Sequence, residues 1–174
     1  FFLTFVEDDK DNIQKQKIID ELYKNGFKDD DPRLSKFFSN LKILVKGNNI
    51  KYEEFKHCVE NHICILKQIL TGDCIIPRFD EFTDKIKDIY NETIEHSDGN
   101  NADYIPQLSR VNPEQYGISI CTIDGQRFNI GDTDNEFTVQ SCCKPINYGI
   151  AMENLTEEYV HKYVGREPSG QSFN

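Results

Sequence analysis

Gly117-Ile118-Ser119-Ile120-Cys121-Thr122-Ile123, then Asp124-Gly125, then Arg127-Phe128-Asn129-Ile130, is where the chain stops reading as helix. β-Branched residues alternate with small or polar ones in the first run, which suits a pleated, half-buried strand. Asp124-Gly125 predicts a two-residue hairpin turn, because such turns need residues that tolerate positive φ, and 127–130 is the returning strand. A strand pair placed after a long helical stretch makes the fold α+β and multidomain.

Upstream the apolar spacing is helical. Ile13, Ile18, Ile19, Leu22 and Tyr23 form one stripe, closed at Asn25-Gly26, where glycine suits a left-handed cap. Asp31-Pro32 reads as an N-cap with proline in the first turn of a second helix carrying Leu34, Phe37, Phe38, Leu41, Leu44 and Val45, stopped by Gly47-Asn48-Asn49. Tyr52, Phe55, Val59, Ile63, Leu66 and Leu70 make a third stripe ending near Gly72, and Phe79, Phe82, Ile86, Ile89 and Tyr90 a fourth, starting beside Pro77. Four helices with short connections predict a helical domain over 1–99, bounded by the linker Ser97-Asp98-Gly99-Asn100-Asn101.

Downstream, Phe137-Thr138-Val139-Gln140 predicts another short strand, Ser141 through Met152 a helix with Pro145 in its first turns, and Thr156 to Tyr163 a short helix. One hairpin and two helices cannot cover both faces of a sheet, so 100–174 is expected to be the truncated first part of a larger domain. Gly170-Gln171-Ser172-Phe173-Asn174 carries no helix or strand signal and reads as a cut within a loop.

Twenty Lys and Arg stand against thirty Asp and Glu, a net charge of −10. With no basic patch, that balance argues against nucleic acid or an anionic membrane surface as partner. A mean hydropathy of −0.62 and the lack of a long apolar run argue against a spanning helix. Six cysteines without a C-x-x-C pair read as reduced thiols. Phe1 to Val6 is apolar but lacks a basic n-region and precedes Glu7-Asp8-Asp9, so it is expected not to be a signal or transit peptide, any targeting segment being absent from this sequence.

Ser141-Cys142-Cys143-Lys144 is an S-x-x-K tetrapeptide. On a helix, residues three apart lie on one face with Cβ atoms roughly 5 to 6 Å apart, so an amine and a hydroxyl can share a hydrogen bond. A lysine amine serves as a base where partial burial or a neighbouring cation disfavours its charged form. Serine at a helix N-terminus also lies beside unpaired backbone N–H groups that can stabilise an oxyanion. The motif alone is weak, since Ser39-Asn40-Leu41-Lys42 repeats it in mid-helix. Two readings of Ser141 stand at this point: a nucleophile activated by Lys144, or an ordinary N-cap followed by a solvated lysine. Other metal-like signals are thin. The 47–54 stretch lacks oxygen ligands at alternate positions, and Cys58 with His62 lacks a second pair, so no metal is assigned.

Several stretches together carry a family resemblance: Ala102-Asp103-Tyr104-Ile105-Pro106-Gln107-Leu108, Cys121-Thr122-Ile123-Asp124-Gly125-Gln126-Arg127, Gly131-Asp132-Thr133, Gln140-Ser141-Cys142-Cys143-Lys144-Pro145, and the run from Glu158-Tyr159-Val160-His161 to Gly165-Arg166-Glu167-Pro168-Ser169-Gly170. In this order they resemble the animal kidney-type mitochondrial glutaminases, densely from about residue 100 and more loosely before it. The resemblance implies a β-lactamase and penicillin-binding-protein-like α/β domain, preceded by a four-helix region like paired EF-hands without calcium. It implies hydrolysis of L-glutamine to L-glutamate and ammonia, with Ser141 as nucleophile, Lys144 as general base, and Tyr104 and Gln140 lining the substrate pocket. It also implies no cofactor, activation by inorganic phosphate, a homotetramer and a mitochondrial matrix location, and it leaves this chain inactive alone, because the family's further pocket residues lie beyond it. The rival readings are a noncatalytic helical interaction module with a remnant α/β piece, and a penicillin-recognising relative with the same serine.

Overall fold

The computed structural model describes residues 12–172. Phe1 to Val6, read above as not a signal peptide, and Phe173-Asn174 lie outside the described residues. Two compact units meet in sequence at Asp134–Asn135, so the predicted hairpin shares a unit with the helices that precede it.

The first unit is built around a short antiparallel pair, β1 (Asn12–Gln14) and β2 (Asn49–Lys51), with Ile13 opposite Ile50. Both isoleucines are fully buried. Ile13, expected to begin the first helix, is therefore a strand residue; a buried residue two positions ahead of a helix fits the helical stripe as well as the pleat. Each strand leads into a helix, α1 (Lys15–Lys24) and α3 (Tyr52–Val59), and α2 (Ser35–Leu44) lies between them in sequence. Helices this short are marginal in isolation, so the buried face holds them: Ile18 and Leu22 from α1, Phe37, Phe38 and Leu41 from α2, Phe55, Cys58 and Val59 from α3.

Gly26 closes α1 as the spacing predicts, at φ +82°, with its N–H on the Tyr23 carbonyl and the Phe27 N–H on that of Leu22. Asp31, expected to cap α2, closes the preceding turn instead: its carboxylate accepts from the Arg33 backbone N–H at 2.9 Å, and α2 starts at Ser35 behind Leu34, which makes no side-chain cap. The third predicted helix is two, α3 and α4 (Ile63–Thr71), parted by a turn at residues 60–62. The buried set Phe55, Val59, His62, Leu66 and Ile69 runs through that turn in helical phase, so periodicity cannot detect the break. Among its described residues the region thus holds five helices, the fifth being α5 (Phe79–Thr93), whose first turn carries Asp80 and Glu81 where the helix dipole favours acids.

Beyond residues 96–103, which form no regular element, a single turn α6 (Pro106–Ser109) precedes the hairpin of β3 (Gly117–Cys121) and β4 (Arg127–Gly131). Half-buried Ile118, Ile120, Phe128 and Ile130 contrast with exposed Ser119, Cys121 and Asn129. The hairpin packs on α5: the Tyr116 and Tyr90 rings stack at 5.2 Å, and the Tyr116 and Thr93 hydroxyls meet at 2.8 Å. The loop is longer than expected. Cys121 pairs with Arg127, leaving the five residues Thr122–Gln126 between the strands rather than a two-residue Asp124-Gly125 turn, because the loop is tied outward to the helices.

In the second unit, Phe137–Gln140 forms no strand. A 3-10 turn (Gln140–Cys142) leads into α7 (Cys143–Asn154), and α8 (Glu157–Val160) follows, capped by the Thr156 hydroxyl accepting from the Tyr159 N–H. Phe137 and Val139 stay exposed, with no partner strand among the described residues.

Candidate active site

The turn before α7 is closed by the Cys142 N–H on the Val139 carbonyl at 2.9 Å. Gln140 within it has φ +46°, the one positive value outside glycine among the described residues. Ser141 follows at the exposed crest, and Lys144 lies in the first turn of α7, also exposed. Among the described residues no hydrogen bond engages the Ser141 hydroxyl or the Lys144 amine, and the two do not bond each other. Catalytic hydrogen bonds often tighten only when substrate closes a site. The second S-x-x-K copy differs in kind: the Ser39 hydroxyl donates to the Ser35 carbonyl at 2.8 Å, which occupies it in the backbone of α2.

One turn beyond Lys144, the Tyr148 hydroxyl meets His161 Nε2 at 3.1 Å, while His161 Nδ1 lies 2.9 Å from the Val164 carbonyl. A carbonyl only accepts, so Nδ1 donates to it, and the phenol bonds the other ring nitrogen. Arg166 pairs with Glu157 at 2.8 Å beside it. The Tyr148–His161 contact ties the end of α8 to α7, and the Arg166 pair ties the segment after α8 back to its first residue.

Gln140, Ser141 and Lys144 thus lie together in the second unit. Tyr104, 71% exposed just ahead of α6, belongs to the first.

Sequence reasoning missed what the Cys121–Arg127 run does. Gln126 is fully buried, and its carboxamide binds the Ile76 peptide on both sides and the Asn25 carbonyl at 3.3 Å. Asp124 accepts from the Ile75 N–H at 2.7 Å and from the Thr122 hydroxyl. Arg33 donates to the Asp124 carbonyl at 2.7 Å, and Arg127 forks onto Asp30. Gly125 sits at φ +92°, a backbone conformation that strains any residue with a Cβ, and the Arg33 guanidinium lies where a Cβ would stand. The Arg33 pair holds the Asp31 carboxyl below the usual range; burial would push Asp124 up, but the hydrogen bonds from Thr122 and Ile75 outweigh it and hold it down too. No apolar period marks a glutamine as buried, so only the glycine in the loop hinted at a close approach.

Among the described residues no group of three or more His, Cys, Asp or Glu side chains could hold a metal. Glu54 accepts from the Lys51 N–H as α3 begins. Counting it as the last ligand of an EF-hand loop puts Ile43, Val45 and Gly47 at the first, third and fifth positions, which offer no side-chain oxygen. Cys58 and His62 are packed in the core, the His62 ring 6.1 Å from that of Phe37.

Compared with known proteins, residues 99–174 match the glutaminase family and residues 1–77 match an EF-hand domain family. The chain is 38% identical to the mitochondrial liver isoform of mouse glutaminase across 99% of its own length. Its residues 99–174 are a glutaminase-family segment. A putative glutaminase 2 of Caenorhabditis elegans is 37% identical over 99% of the chain, and a glutaminase of Trichormus variabilis 43% identical over 51% of it. The chain spans 29% of the mouse glutaminase, 31% of the worm protein and 27% of the bacterial one. The exposed Ser141 turn therefore sits in a glutaminase-type segment.

Proposed function

We propose that this chain is the helical region and the first part of the catalytic domain of an enzyme that hydrolyses L-glutamine to L-glutamate and ammonia. The observation that carries the reading is Ser141, presented in an exposed turn at the entry to α7 with Lys144 one turn on, inside the segment matched to the glutaminase family. The Ser141 oxygen attacks the side-chain amide carbon as its proton passes to the Lys144 amine. The tetrahedral intermediate expels ammonia, which takes that proton, and a γ-glutamyl ester remains on Ser141. Water then attacks the ester, and glutamate leaves as the serine hydroxyl is restored.

Tyr104 and Gln140 are assigned to the substrate, since a phenol and a carboxamide suit its amino and carboxylate groups. The family resemblance supports a domain division of 1–99 and 100–174, a β-lactamase-like catalytic fold completed by further sequence, a homotetramer activated by inorganic phosphate, and a mitochondrial matrix location; the names of the rodent liver relatives favour the last. In the protein with all of its sequence, Ser141→Ala should cut glutamine hydrolysis by at least about a thousandfold while leaving the fold intact. Near-normal turnover by that variant would overturn the proposal.

A further inference from the structure

The two S-x-x-K copies of this chain differ in one backbone angle, and that difference suggests a role for the residue ahead of the second. Ser39 lies inside regular helix and gives its hydroxyl to the carbonyl four residues back. Ser141 would do the same, on the Phe137 carbonyl, if α7 began at Phe137 as α2 begins at Ser35. It does not, because Gln140 takes a positive φ of +46° after Val139 at φ −62°, ψ −28°, and helical geometry resumes by Cys142 at φ −62°, ψ −22°. The reversal is held by the Cys142 N–H on the Val139 carbonyl and the Cys143 N–H on the Gln140 carbonyl. Left-handed backbone is costly for a residue with a Cβ, readily adopted by glycine and tolerated by asparagine. Such a conformation persists only where its surroundings impose it.

We infer that Gln140 is a positioning residue for Ser141: its left-handed backbone keeps the serine hydroxyl off the carbonyls of its own helix and free to attack. This rests on the proposal that Ser141 is the nucleophile. It is separate from any contact of the Gln140 carboxamide with substrate, and the two contributions divide between kcat and KM.

Gln140→Gly and Gln140→Ala both lack the carboxamide and differ only in how readily they turn left-handed. In the protein with all of its sequence, both should raise KM alike. Under conditions where circular dichroism finds both folded, the alanine variant should have kcat about tenfold below the glycine variant. A residue that merely stabilised the fold would shift the melting temperature and leave the two folded variants with equal kcat. Equal kcat for the folded glycine and alanine variants would overturn the inference. Turnover retained by Ser141→Ala would instead overturn the reading beneath it.

Discussion

Ile76 and Gln126 hydrogen-bond to each other twice: the Ile76 N–H donates to Gln126 Oε1 at 3.0 Å, and Gln126 Nε2 donates to the Ile76 carbonyl at 2.9 Å. One buried carboxamide therefore pairs a peptide of the α4–α5 connection as a neighbouring strand would, and ties the hairpin to the helices. Backbone groups in a connection buried this way need partners, and the glutamine supplies them where no secondary structure does.

Gln126→Leu should therefore be costly for more than its lost bonds, since the Ile76 N–H, the Ile76 carbonyl and the Asn25 carbonyl all lose a buried partner. A loss of about 3 kcal/mol is expected, read as a lower midpoint in urea with an unchanged slope. A loss under about 0.5 kcal/mol, the range of ordinary surface substitutions, would show that the latch contributes nothing.

Acid should loosen the same contact. Asp31 and Asp124 are both held below the ordinary aspartate value of 3.8 in the folded protein. A lowered folded value means that the unfolded chain binds the proton more readily. The stabilisation is thus complete above the ordinary value and is lost as pH falls through the lowered ones. Asp124→Asn should flatten the acid limb of stability against pH relative to the unmodified protein. An acid limb of identical slope would contradict the assignment.

Thiol chemistry should separate the cysteines by burial. Cys64, Cys121 and Cys142 are exposed, whereas Cys58 and Cys74 lie in the core, where burial and then the nearby Asp124 carboxylate push the Cys74 thiol up to about 11. At neutral pH an aromatic disulfide reagent should modify the three exposed thiols quickly and the two buried ones only on unfolding. Fast modification of Cys58 or Cys74 in the native protein would contradict the packing described.

Helical stripes such as Ile18 with Leu22, and Phe37 with Phe38 and Leu41, were legible because each periodic face meets a core. So were the Gly26 cap and the strands β3 and β4, though not the β1–β2 pair. Three features were hidden for physical reasons. The α3–α4 break keeps the buried stripe in phase, so no period changes there. The Thr122–Gln126 loop follows contacts to Ile75 and Ile76, about fifty residues away in sequence, against the local preference of Asp-Gly for a tight turn. The predicted strand at Phe137–Gln140 had β-formers but no partner strand among the described residues. At the candidate site, the residue types and their spacing were readable in Ser141 and Lys144, while the left-handed turn at Gln140 was not, since glutamine gives no sign of positive φ.

Labelling tests the central claim most directly. The protein with all of its sequence, treated with a glutamine-mimicking diazo ketone and mapped by fragmentation that separates residue 141 from Cys142, should carry one adduct, on the Ser141 oxygen, and Ser141→Ala should carry none. An adduct on Cys142, Cys143 or any other side chain that persists in Ser141→Ala would contradict the assignment of Ser141 as the nucleophile.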